Sequence, residues 1–270
     1  EGVQKAHRSR YLKLIERAYA HLDSLGLKLS RNPGSEAYAQ RLGKGSNDLT
    51  VFLEDHEIEE IKRVIRRRMK RAVDADIESK GREEKEEKKR KGRKKAEWIE
   101  IRDAVLCAVM MGGGASVDSI ERLSVSCTNR GSGRLTLPRK GGPAYEAPLL
   151  PLAQAALEAW LDYRERLGLG GTALFPADAG SRRNATTLTT TDAMSASAIF
   201  RATRSVLKDA GITGARACGQ TLRNAYAGML IDLGYGDMEL QQAMGFAQAT
   251  SALRLRSYYG HRNVDALPPE

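Results

Sequence analysis

The sequence predicts a mainly α-helical protein with a small β-sheet, an α+β fold. Three observations carry this. Apolar residues recur at helical spacing along most of the 270 residues. Two short alternating segments flank a turn-rich Arg139-Lys140-Gly141-Gly142-Pro143 connector. A nearly all-charged stretch separates a first group of helices from a second.

Over 7–25, Tyr11, Leu12, Ile15, Tyr19, Leu22 and Leu25 fall at helical spacing, and Gly26 supplies a stop. Asn32-Pro33 marks a turn, with a second helix expected over 35–42. A third starts near Asp55 and places Ile58, Ile61, Val64 and Ile65 on one side. Beyond Lys62 the pattern turns basic, with Arg63, Arg66, Arg67 and Arg68. Residues 79–95 keep no apolar face and read as a solvated helix or a flexible linker. They serve either as a basic strap on a nucleic-acid backbone or as a plain connector. The expected division is a helical domain over 1–75, a charged linker over 76–96, a larger domain over 97–265 and a tail over 266–270.

The larger domain opens with a dense apolar helix over 101–111, stopped by Gly112, Gly113 and Gly114. A helix over 117–123 and a hairpin from 134–137 and 145–150 come next. Leu157, Trp160, Leu161 and Tyr163 stripe a helix over 152–167. Residues 186–192 are polar and read as a loop. Further helices are expected over 195–209, 220–233, 237–244 and 249–259.

The net charge is +10, from 44 basic and 34 acidic residues, which favours a polyanionic partner through counterion release. Charge alone does not separate DNA from RNA or an acidic membrane. No apolar run is long enough to span a bilayer, so no membrane partner is expected. Cys107, Cys127 and Cys218 are far apart and form no C-x-x-C pair. That pattern argues against a disulfide framework or a zinc site and suits a reducing cytoplasm.

Several segments together resemble the tyrosine recombinases (phage integrases). RDAVLCAVMMGGGASVDSIERLSV resembles the start of that family's catalytic domain. GRLTLPRKGGPAYEAPLLP resembles the β-hairpin whose turn carries a catalytic lysine. Thr221-Leu222-Arg223-Asn224-Ala225-Tyr226-Ala227 resembles the core of the His-x-x-Arg-His helix. LIDLGYGDMELQQAMGFAQAT resembles the glycine turn and Leu-Gly-His segment, and Tyr258-Tyr259-Gly260-His261 sits where the nucleophilic tyrosine belongs. The resemblance covers roughly 97–261, and the N-terminal helices look like the family's core-binding domain.

The resemblance implies transesterification, in which a tyrosine oxygen attacks a DNA phosphodiester and forms a 3′-phosphotyrosyl bond. Arg223 would hold the phosphate, Lys140 would protonate the leaving 5′ oxygen, and Tyr259 would be the nucleophile, with Tyr258 the alternative. The departures are as specific. Ser116 stands where the family has its first catalytic arginine. Gln220 and Asn224 stand where it has histidines, and Phe246 where it has histidine or tryptophan. Arg122, six residues beyond Ser116, is expected to point elsewhere on its helix. Losing one oxyanion donor costs about 10²–10³ in rate.

The expected function is therefore a DNA-binding member of site-specific recombination or integration, impaired in catalysis and accessory to an active paralogue. Arg139, Lys140, Arg223, Arg63 and Arg67 are expected to contact double-stranded DNA, with a homo-oligomer on DNA also open. One alternative is an active recombinase with a variant site, its missing charge supplied by Arg216 for example. Another is a basic helical scaffold for RNA or protein. No metal or cofactor is implied.

Overall fold

The computed structural model describes residues 52–79, 87–178 and 189–261, with scattered positions between 11 and 33. The chain forms two compact units, Glu1–Thr50 and Val51–Glu270. In the first, the described positions from 11 to 22 are helical, and Gly26 takes a φ of 84° at the turn beyond them. The helix expected over 35–42 lies outside the described residues.

The second unit begins with α1 (Asp55–Ser79), whose Glu57 carboxylate accepts the Glu54 N–H at 2.9 Å just ahead of the first turn. Ile58, Ile61, Val64 and Ile65 are buried, as their spacing requires. They join the core formed by α2 (Glu87–Gly113), so α1 packs with the helices after it in the chain. The division between compact units falls at Thr50–Val51. Within the charged stretch, 87–95 is the first part of α2.

Helix α2 is the central post. Every residue from Ala104 to Met111 is buried, because α1 and the later helices over Pro151–Arg166, Ala196–Asp209 and Gly219–Asp232 surround it. A Cβ at Gly112 would come within 2.7 Å of the Ala153 Cβ, so glycine is what lets α2 meet α4 (Pro151–Arg166). Gly114, at φ 68°, turns the chain into α3 (Val117–Arg122), which Ser116 caps by accepting the Ser119 N–H at 3.1 Å.

Strands β1 (Arg134–Leu137) and β2 (Tyr145–Pro148) form the expected hairpin, with Leu137 opposite Tyr145. Its Leu135, Leu137 and Ala147 face the core. The loop expected over 186–192 is corrected in part. Thr189–Ala193 is a strand, β4, paired antiparallel with β3 (Pro176–Asp178). Three consecutive threonines suit a strand backbone while hiding the apolar alternation that signals one. Helix α5 (Ala196–Asp209) is next, capped by Ser195. Then come α6 (Gly219–Asp232), α7 (Asp237–Ala243) and α8 (Ala249–His261). A second apolar cluster forms around α6 to α8, with Tyr226, Leu230, Leu240, Leu255 and Tyr259 packed together with Phe52.

Two arginines tie together elements that are distant in the sequence. Arg68 is buried and donates to the Asp209 carboxylate at 2.6 Å and to Ser205 Oγ at 3.0 Å, pinning α1 to α5. Arg216 donates to the Glu57 carboxylate at 2.5 Å.

Candidate functional site

Arg223 lies on the first half of α6 and is partly buried. Its Nε donates to the Gly114 carbonyl at 3.0 Å and its Nη2 to the Met244 carbonyl at 2.6 Å. Its guanidinium sits 5.6 Å from the centre of the Phe246 ring. One arginine thus joins the α2–α3 turn, α6 and the α7–α8 turn, and these two carbonyls fix the direction of its fork. Phe246 packs beneath the charge and is not simply core.

Around Arg223, neutral polar side chains tie to one another. Ser116 and Ser119 share a hydroxyl–hydroxyl bond of 2.9 Å. Gln220 Nε2 donates to Asn224 Oδ1 at 2.7 Å, one helical turn apart. From the hairpin, the Tyr145 ring lies against Gly245, where a Cβ would meet Tyr145 Cε1 at 2.4 Å. Burial raises the Tyr145 pKa, which the nearby Arg223 charge partly opposes. Lys140 is exposed in the hairpin turn, and its backbone N–H donates to Asp118 Oδ2 at 3.1 Å. Asp118 also accepts from Arg122 Nε at 3.2 Å, so Arg122 is paired within its own helix. The structure therefore gathers Ser116, Arg223 and Phe246 at one place, with Lys140 and Arg139 on the hairpin that reaches it.

Tyr259 is elsewhere. Its ring is buried edge-on to Phe52, with centroids 5.0 Å apart, and presses on Gly228, where a Cβ would come within 2.6 Å of it. Its hydroxyl donates to Asp232 Oδ2 at 2.5 Å. Asp232 comes nine residues after Arg223 on α6, which is about 13 Å of rise and about half a turn of rotation. The nucleophile candidate thus sits at the far end of α6 from the candidate phosphate ligand. Tyr258 is partly exposed, with the Arg254 guanidinium 5.7 Å from its ring centre.

Of the other basic candidates, Arg67 is exposed, and Arg63 is exposed and paired with Glu60 on its own helix. Arg216 is engaged by Glu57 of α1. Among the described residues no cluster of His, Cys, Asp or Glu is arranged to hold a metal ion. No helix among them is long and apolar enough to cross a membrane. Sequence reasoning passed over Tyr145, Asp118 and Asp232. Gly228 and Gly245 carry the only local hint, since each makes room for a tyrosine ring.

Comparison with solved structures gives the same fold. XerA recombinase is 18% identical and covers 83% of this chain and 68% of its own, with a TM-score of 0.54. XerH site-specific recombinase, bound to palindromic difH substrate in a post-cleavage complex, is 16% identical with a TM-score of 0.56. That match covers 82% of this chain but only 55% of XerH. The Tn1549 transposon integrase, in complex with transposon right end DNA, is 12% identical, covers 98% of this chain and 81% of its own, and has a TM-score of 0.51. No curated protein matches the chain by sequence. The class is thus the mostly helical tyrosine recombinase fold. The phage integrase family model matches residues 90–263, and the chain belongs to that family.

Proposed function

We propose that this chain binds double-stranded DNA in site-specific recombination or integration, and that it acts as an accessory subunit beside an active recombinase paralogue. In this reading its own strand cleavage is impaired. The observation that carries the reading is the separation along α6. Arg223 is oriented by two backbone carbonyls at one end, while the Tyr259 hydroxyl is engaged by Asp232 at the other. Ser116 and Gln220 offer neutral hydrogen bonds where the chemistry needs charge and proton transfer.

DNA affinity survives such losses, because phosphate contacts position a protein on a duplex without any bond breaking. The Arg223 fork, with exposed Arg139 and Lys140 on the hairpin, supplies the cationic groups for one backbone phosphate and its neighbours. The test is a nicked suicide duplex incubated with the full chain. The expected result is duplex binding with no covalent adduct. An adduct that disappears in Tyr259→Phe or Tyr258→Phe would overturn the impaired reading in favour of an active variant site.

A further inference from the structure

The Tyr145 hydroxyl is buried, and at normal hydrogen-bond geometry it has no partner among the described residues, Arg223 and Ser119 approaching it only as weak ones. Leaving a buried donor unmatched is costly, so such groups are few and call for a reason. The ring above it is tightly placed. Tyr145 is the first residue of β2, opposite Leu137, and its ring fills the space that the absent Gly245 side chain leaves. Gly245 has a φ of 62° and lies between Met244, whose carbonyl holds Arg223, and Phe246, which packs under the Arg223 guanidinium. The turn that orients the arginine therefore also orients the tyrosine. Arg223 and Ser119 are the polar side chains that act on its hydroxyl, with the Arg139 charge nearby.

We propose that Tyr145 is a phosphate-binding residue, its hydroxyl donating to a DNA phosphate oxygen that Arg223 also engages. This inference rests on the duplex-binding reading above. In this proposal a side chain moves off the hydroxyl when DNA binds, and that movement is assigned to Arg139, which is exposed and whose charge acts on Tyr145. The phenol is protonated at neutral pH even at its ordinary pKa of 10.0, as a donor must be, and burial shifts it only further that way. A neutral donor placed beside Arg223 partly compensates for the uncharged Ser116 without restoring its missing charge. The role needs no strand cleavage and is separable from Tyr259.

The test compares the full-length wild type, Tyr145→Phe and Arg223→Ala on a random-sequence duplex at two salt concentrations, with melting measured in the absence of DNA. Tyr145→Phe keeps the ring on Gly245. It is expected to bind about five- to tenfold more weakly, the size of one hydrogen bond, with an unchanged salt slope and a melting temperature equal to or above wild type. Arg223→Ala is expected to flatten the slope by about one counterion. Equal affinity of wild type and Tyr145→Phe, with Arg223→Ala still weakened, overturns the Tyr145 role and leaves duplex binding standing. A flattened slope in Tyr145→Phe assigns the effect to a displaced arginine, and a lowered melting temperature assigns the hydroxyl to the fold. Either of those also overturns the inference. A wild-type chain that binds no duplex removes both readings together.

Discussion

The two ends of α6 have opposite designs. At its first half Arg223 is only partly buried, and its charge is held by backbone carbonyls, not by a carboxylate. At its last residue Asp232 meets the Tyr259 hydroxyl, and the tyrosine ring is enclosed by Phe52 and Gly228. Carbonyls orient a guanidinium without cancelling its charge, so the first end keeps its attraction for an anion. A carboxylate bonded to a phenol, with the ring in the apolar cluster, makes the second end part of the stability of the molecule. The lesson is that two residues named from the family motifs can sit in opposite surroundings, Arg223 directed by backbone carbonyls and Tyr259 packed in an apolar cluster.

Arg223→Ala should break this contrast most visibly. It removes a charge from the first end and leaves the Gly114 and Met244 carbonyls without their donor. Duplex affinity is expected to fall by tenfold or more, roughly 1.5–3 kcal/mol for a bond to a charged group. Titrations at two salt concentrations check this, and unchanged affinity would remove Arg223 from the interface.

Gly228→Ala attacks the second end. The new methyl would overlap the Tyr259 ring at 2.6 Å. Urea unfolding is expected to show a loss of about 1–3 kcal/mol, as overpacking gives, with duplex affinity of the folded protein retained. A larger effect on affinity than on stability would show that Tyr259 serves the DNA. Tyr259→Phe is milder. It keeps the ring and loses the bond to Asp232, at an expected cost of about 1–2 kcal/mol in the same assay. No loss of stability would mean that the bond does nothing for the fold.

The smallest effect concerns pH and lies outside both ends. Burial pushes the Glu57 pKa up, but the Glu54 N–H and the Arg216 guanidinium prevail and hold it below the ordinary 4.5. A lowered carboxylate pKa stabilises the fold above pH 4.5, and that contribution is lost as pH falls through the lowered value. Glu57→Gln should therefore cost stability at pH 7, by under about 1 kcal/mol for so exposed an arginine partner, and flatten the acid limb below pH 4.5. Identical acid limbs in the two proteins would exclude Glu57 as a source of the pH dependence.

Much of the fold was legible because amphipathic helices write their burial into local spacing. Ile58, Ile61, Val64 and Ile65 point inward as their order predicts, and the hairpin arises from its turn residues. The β3–β4 pair was not legible, because a threonine run has strand propensity without an apolar face. The arginine ties were not legible for a different reason. The partners of Arg68 and Arg216 lie 141 and 159 residues away, so nothing nearby marks either arginine as a tie between elements. At the site, Arg223, Ser116, Phe246 and Lys140 were named from motif order. Tyr145 was not, since a tyrosine at the start of a strand is ordinary until Gly245 is folded against it.

By itself the sequence determined the helical elements, the hairpin, the excess of positive charge and which residues stand at the motif positions that the resemblance assigns. All of these are written in residue type and short-range order. Only the tertiary structure decided that Arg223 is aimed by two carbonyls, that Tyr145 stands beside it, and that Tyr259 is enclosed with Asp232. Direction and burial depend on which distant segments close around a side chain, and no local pattern encodes that.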